Sequence, residues 1–291
     1  MYKEVSLDPN CLSHYHYYGL LKTAFGFEAG RYVVAPLKDW LSEAYQAAKA
    51  SEHIEPVKKK SITNFLNKLR QDKAQDKIIM PCYRSHISAD SWLNWLEYQR
   101  AVRPFNSVIS ERVENALSFE DIIAGDHSWT TPPTVRVKKT AESIVEALSS
   151  LLRWGGNLVI IDQYFSLAAN PVLKEIFRFL QAHQHTVNIT LATSVNTANP
   201  EAVFKREYGA SFSFIPKFHL IVVPSKFFHD RYIFTEFGAI KSGQGFDVGP
   251  ELGAQADKLS FHLCSKEESQ EAAVWLKQII DDGRALSLAL N

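Results

Sequence analysis

The fold of this chain is decided by the segment His229-Asp230-Arg231-Tyr232-Ile233-Phe234-Thr235-Glu236, which is followed by Gly243-Gln244-Gly245-Phe246-Asp247. The apolar, β-prone run predicts a strand over 229–235, in which side chains two residues apart share a face. We therefore expect His229 and Arg231 on one face, with Tyr232 and Phe234 on the other. An imidazole beside a guanidinium favours phosphate chemistry, because the cation holds anionic oxygens while the histidine attacks phosphorus or donates a proton.

This segment resembles the half-site of the phospholipase D superfamily, which reads H-x-K-x4-D-x6-G-S-x-x-N. All the spacings hold here, but four residue types differ from that pattern: Arg231 replaces lysine, Glu236 aspartate, Gln244 serine and Asp247 asparagine. The variant H-D-R, followed by I-K-x-G-x-G-x-D, looks most like the phospholipase D-like C-terminal domain of MIT-domain-containing proteins. The resemblance covers about residues 138–285 and leaves the N-terminal half unassigned.

The resemblance implies a phospholipase D-like α/β domain and a metal-independent phosphodiesterase, most plausibly a nuclease, with no cofactor. In that family two half-sites meet: one histidine forms a phosphohistidine and the other protonates the leaving oxygen. This chain shows one half-site, so activity implies a homodimer. The implied catalytic residues are His229, Arg231 and Glu236, and the implied phosphate-binding or supporting residues are Gly243, Gln244, Gly245, Asp247 and Asp162.

Arg231 also supports an alternative without catalysis. An arginine binds phosphate through a bidentate fork, but its permanent charge makes it a poor proton source. The relatives with this H-D-R signature are regarded as anion or phospholipid binders. A silent module that binds the phosphate groups of lipid headgroups or nucleic acid is therefore the second reading. A scaffold whose N-terminal half binds a protein partner is the third.

Asp162 ends the continuous apolar run over 157–162, which predicts a buried strand. Ligands of open α/β sheets gather at the carboxyl ends of strands, and Asp162-Gln163-Tyr164 resembles the D-P-Y segment found there in many phospholipase D-like domains. A carboxyl group closing an apolar strand requires a partner. Tyr164 and Phe165 are expected to cover the core.

The composition excludes little and gives no global argument for a polyanionic partner. The 291 residues contain 32 basic and 32 acidic residues, so any anion site must be local. Three distant cysteines without a C-x-x-C pair indicate free thiols and no zinc site. No apolar run approaches the roughly 20 residues of a membrane span, so we expect a soluble cytoplasmic protein.

The best domain boundary is the segment over 125–134, which contains two prolines, a glycine and small polar residues. Before it, residues 1–130 predict a mainly helical α+β domain of unknown role. Its series Trp92, Trp95 and Tyr98, at helical spacing, indicates core or a partner interface rather than a base-stacking platform. After it, residues 135–291 alternate strands and helices, which predicts a layered α/β sheet with flanking helices.

Overall fold

The computed structural model describes residues 1–71, 76–85, 87–248 and 257–291. The chain divides into two compact units, of which Tyr2–Thr131 is the first and Pro132–Asn291, together with Met1, is the second. The division falls within the segment 125–134. Both units combine helices and sheets, and the predicted α/β class is confirmed. None of the helices in the described ranges has the length and apolar character that crossing a membrane requires.

The first unit is built on a parallel sheet of four short strands in the order β3-β2-β1-β4. The strands are β1 (Lys3–Leu7), β2 (Arg31–Val34), β3 (Ile78–Ile79) and β4 (Ser107–Ile109). The helices are α1 (Tyr15–Thr23), α2 (Leu37–Ala50), α3 (Pro56–Gln71), α4 (Trp92–Val102) and α5 (Phe119–Ile123). Helical residues outnumber strand residues, as predicted. The helix expected over 110–124 is confined to α5, and β4 was not predicted.

The second unit is built on a mixed sheet of eight strands in the order β12-β8-β7-β6-β9-β10-β11-β5. The strands are β5 (Thr134–Lys138), β6 (Gly156–Ile161), β7 (Thr186–Thr193), β8 (Lys217–Val222), β9 (Arg231–Thr235), β10 (Gly238–Ser242), β11 (Lys258–Leu263) and β12 (Leu286–Ala289). The helices are α6 (Ala141–Trp154), α7 (Pro171–His183), α8 (Pro200–Phe204) and α9 (Lys266–Asp281). Strands β6, β7 and β8 run parallel, and the remaining neighbours pair antiparallel.

The centre of this sheet follows directly from the sequence. Residues 158, 160 and 161 of β6 are fully buried and apolar, as the run over 157–162 predicted. Helix α6 begins at the cap Thr140, whose side chain accepts a hydrogen bond from the Ser143 amide. It ends at Gly155, whose φ of +84° lies in the left-handed region that glycine favours. The helix then turns directly into β6.

The strand predicted over 229–235 begins two residues later than expected, at Arg231. Arg231 is the first residue to pair with β10, opposite Ser242, and Tyr232 is the first to pair with β6, opposite Ile161. No neighbouring strand reaches beyond these positions, so His229 and Asp230 form a bend outside the sheet. The β-prone side chains indicated a strand, but the ends of the partner strands determine where it starts.

The two strands at the edges of the sheet are β5 and β12, and neither was predicted. They are the first and last strands of the second unit in chain order. Strand β5 pairs with β11, from Lys138 opposite Lys258 to Thr134 opposite His262. The edge of the sheet beside the domain boundary is therefore completed by a segment more than a hundred residues further along the chain.

Candidate functional site

Asp162 lies immediately after β6 and is 1% exposed. Its Oδ1 accepts a hydrogen bond from the Tyr164 amide at 3.0 Å, and its Oδ2 accepts one from the Phe246 amide at 2.9 Å. Burial raises the pKa of this carboxyl group, and the two amides and the Arg231 charge oppose that rise. Backbone amides are therefore the partners that Asp162 required, and they attach the loop over 243–247 to the end of β6.

Gly245 allows this loop to approach Asp162 closely. Its φ is +86°, and a Cβ at this position would lie 2.6 Å from Asp162 Oδ2. A side chain would therefore meet both an unfavourable backbone conformation and a steric overlap. Gly243, two residues earlier, has open space around its Cα. The two motif glycines consequently differ in role, and Gly245 is the one that the geometry requires.

The Arg231 guanidinium lies beside this loop. Its Nη1 donates a hydrogen bond to the Gly243 carbonyl, and its Cζ lies 5.2 Å from the centre of the Tyr164 ring. Its Nε is buried and has no hydrogen-bond partner among the described residues. The charge of Arg231 acts on Asp162 at a distance, without a direct ion pair between these two described residues. Arg231 is thus held by an aromatic ring and a carbonyl rather than neutralised by a carboxylate.

The His229 side chain is fully exposed in the bend before β9, and its Nδ1 lies 3.2 Å from Asp230 Oδ1. Asp230 Oδ2 forms an ion pair with Lys241 Nζ at 2.8 Å, and the same Nζ lies 2.7 Å from Glu268 Oε1. The Lys241 hydrogen bond is the main cause that lowers the pKa of Asp230. His229 therefore stands beside a carboxylate that a lysine keeps charged and in place.

Glu236 does not approach His229 within the chain. It lies in the turn after β9, where its carboxylate accepts hydrogen bonds from the Asn157 amide at 3.2 and 3.3 Å. An extended strand advances about 3.3 Å per residue, so the five residues of β9 separate Glu236 from His229 by roughly 20 Å. The expectation that Glu236 orients the imidazole therefore does not hold within one chain. Its observed contacts join the β9–β10 turn to the start of β6.

The remaining motif residues lie on the loop after β10. Gln244 is exposed, and its amide donates a hydrogen bond to Ser242 Oγ at 3.3 Å. Asp247 is half-buried; burial raises its pKa, and the Lys139 charge opposes the rise. The structure therefore brings Asp162, Arg231 and the loop over 243–247 to one edge of the sheet, with His229 exposed nearby and Glu236 at the opposite end of β9.

Sequence analysis missed three contributors to this edge. Tyr164 was expected to cover the core together with Phe165, but Tyr164 is 64% exposed and lies under Arg231, while Phe165 is fully buried. Lys241 and Glu268, which hold Asp230, belong to β10 and α9 and share no local motif with it. The exposed aromatic residue two positions after Asp162 was a usable signal, whereas the lysine and glutamate required knowledge of strand pairing.

Neither a protein-family model nor a curated protein matches this sequence. Among solved structures, the archaeal chromatin protein TrmBL2, whose structure is described as showing a novel mode of DNA binding, aligns with 82% of this chain and 81% of its own. The alignment has 9% sequence identity and a TM-score of 0.30, and such a low score supports no argument about fold or function. In the described part of the chain, no group of three or more His, Cys, Asp or Glu side chains is placed to hold a metal ion.

Proposed function

We propose that the second unit binds the phosphate of a phosphodiester ligand at the sheet edge that carries Arg231, His229 and the loop over 243–247. The position of Arg231 is the observation that supports this proposal. Its guanidinium is held by the Gly243 carbonyl and the Tyr164 ring, and its Nε has no partner among the described residues. A guanidinium held in this way suits bidentate contact with phosphate oxygens.

The nearby carboxylates do not remove this capacity. Asp162 directs both oxygens to backbone amides, and burial raises its pKa, which weakens its negative charge relative to an exposed aspartate. Asp247 is opposed by Lys139, and Asp230 is paired with Lys241. The guanidinium therefore remains available to an anion, and the residue order shared with phospholipase D-like domains supports the same ligand class.

The test measures binding of the full-length chain to a short single-stranded oligonucleotide and to phosphoinositide vesicles, with phosphatidylcholine vesicles as reference. Arg231→Ala should weaken the productive interaction about tenfold to a hundredfold, because a charge-assisted contact contributes about 1.5–3 kcal/mol. The two ligands distinguish a nucleic acid from a lipid headgroup. Arg136→Ala removes an exposed arginine from β5 of the same sheet and is the matched control. Equal losses in the two variants would disprove a site at Arg231.

A second candidate function is hydrolysis by a homodimer, and the full exposure of the His229 imidazole favours it. A second copy of the chain can reach this imidazole, and each chain contributes one half-site. His229 of one copy would attack phosphorus to form an N–P bond as the ester P–O bond breaks. His229 of the other copy would protonate the leaving oxygen, and water would then release the phosphate from the histidine.

His229→Asn separates hydrolysis from binding, because asparagine keeps a hydrogen-bond donor but neither forms a phosphohistidine nor passes a proton. Hydrolysis predicts nearly normal binding and no turnover in this variant, wild-type turnover that survives EDTA, and a phosphohistidine trapped on His229. It also predicts a dimer by light scattering at micromolar concentration. A monomeric wild type that binds the ligand but never traps a phosphohistidine would leave binding as the function.

A further inference from the structure

A cavity of about 220 Å³ lies in the first unit, at the carboxyl end of its parallel sheet. Pro36 borders it after β2, and Ser85 borders it after β3. Ligands of open α/β sheets bind outside the carboxyl ends of the strands. The volume is far above the roughly 10–15 Å³ that one water molecule needs. The lining residues that bear on its chemistry are Asp39, Trp40, Glu43, Ser91, Trp92 and Trp95.

The wall formed by α2 carries negative charge. Asp39 and Glu43 are four residues apart and therefore share a face of the helix. Burial raises the pKa of Glu43, and Asp8 and Asp39 add to the rise, while the Trp92 amide and Arg112 oppose it. No lysine or arginine is among the described residues that line the cavity. This wall therefore favours a ligand group that carries positive charge.

The wall formed by α4 carries hydrogen-bond donors that nothing in the described chain accepts. Trp92 and Trp95 are 3% and 2% exposed, and the Nε1 of each is buried without a partner among the described residues. Trp40 differs, because its Nε1 donates to the Leu7 carbonyl at 2.6 Å. An unsatisfied buried donor costs about 1–3 kcal/mol. The two unpaired indole N–H groups consequently favour a ligand group that accepts hydrogen bonds.

We propose that this cavity binds a free amino acid, with its ammonium group on Asp39 and Glu43 and its carboxylate on the indole N–H groups of Trp92 and Trp95. A simple amine would leave both indole donors unpaired, and a simple carboxylate would face two acidic side chains. A zwitterion satisfies both walls. This site belongs to the first unit and does not depend on the function proposed for the second.

The first test is a thermal unfolding screen of the full-length chain against the twenty standard amino acids. A ligand that binds only the folded state raises the unfolding midpoint in a concentration-dependent manner. For the amino acid with the largest effect, the matching amine without the carboxylate and the matching acid without the ammonium group should each bind at least about tenfold more weakly. A screen in which no amino acid shifts the midpoint would overturn the proposal and leave a cavity filled by water.

Variants then assign the two walls separately. Asp39→Asn alters an exposed carboxylate and should weaken amino acid binding about tenfold. Trp95→Phe keeps an aromatic ring but removes the donor, so it should weaken the amino acid about tenfold and leave the amine analogue unchanged. Glu97→Gln, at a 66% exposed side chain on α4, is the control. Amino acid affinities equal to that of the control in both variants would contradict the proposal, and circular dichroism checks that each variant is folded.

Discussion

Each unit contains an aspartate that ends a buried strand, and the two units satisfy these carboxylates differently. Asp8 follows β1 and Asp162 follows β6, and each is 1% exposed. Arg112 donates to both oxygens of Asp8, at 2.7 and 2.9 Å. Asp162 instead accepts hydrogen bonds from two backbone amides, and the nearby Arg231 donates elsewhere. The same sequence signal therefore produces an ion pair in the first unit and an arginine without a carboxylate partner in the second.

This difference separates a structural arginine from one that is available to a ligand. A bidentate ion pair uses the donors that would otherwise grip a phosphate. When backbone amides satisfy the carboxylate, a neighbouring guanidinium keeps its capacity to bind an external anion. The presence of an Asp and an Arg near a strand end is thus insufficient evidence for a site, and the partner of the carboxylate decides between the two roles.

The largest expected effect is the loss of stability in Arg112→Ala, which leaves the Asp8 charge buried without its ion pair. Breaking a buried pair costs about 3–5 kcal/mol, but Arg112 is 41% exposed, so water screens part of the interaction and we expect about 2–3 kcal/mol. Arg231→Ala should cost about 1 kcal/mol, because it removes one hydrogen bond. Urea unfolding followed in each unit measures both values, and equal losses would remove the distinction between the arginines.

The next effect concerns the close approach that holds Asp162. Gly245→Ala should lower the free energy of unfolding by about 2 kcal/mol, because it combines a left-handed φ with an overlap of Cβ and Asp162 Oδ2. Gly243→Ala, in the same loop but with open space around it, should change stability by less than about 0.5 kcal/mol. Similar unfolding midpoints for the two variants would show that Gly245 does not limit the fastening of the loop.

The smallest effect is a pair of opposite pH dependences. The pKa of Asp162 is raised, so its contribution to stability is present below the unfolded-state pKa and is lost as pH rises through the folded-state pKa. The pKa of Asp230 is lowered, so its contribution is present at neutral pH and is lost as pH falls. The destabilisation caused by Asp162→Asn should shrink from pH 3 to 7, whereas that caused by Asp230→Asn should grow. Parallel pH profiles in thermal unfolding would refute this assignment.

The parts of the fold that depend on local pattern could be predicted from the sequence. The apolar run over 157–162 became β6, and the helical periodicity after Thr140 became α6, since burial and capping act on neighbouring residues. The loop that gathers at Asp162 was also predictable as a set of motif residues. Their spacing identified Arg231 and Gly245, although it gave no reason for the roles that the structure assigns to them.

The parts that depend on pairing between distant segments could not be predicted. Strand β9 begins at Arg231 because β6 and β10 end there, a fact that the β-prone residues around His229 do not contain. Glu236 was grouped with His229 on spacing alone, yet an extended strand carries it away. Edge strands such as β5 and β12 have weak patterns, because only one neighbour and part of one face stabilise them.

The pairing of β5 with β11 has a consequence for how the second unit is made on the ribosome. Strand β5 leaves the ribosome first, but its partner follows more than a hundred residues later. Since chains are synthesised at about 5–20 residues per second, β5 waits for seconds with its backbone groups unpaired. We expect the first unit, whose four strands all precede residue 110, to fold during synthesis, while the second unit completes its sheet only near release and depends on chaperones in that interval.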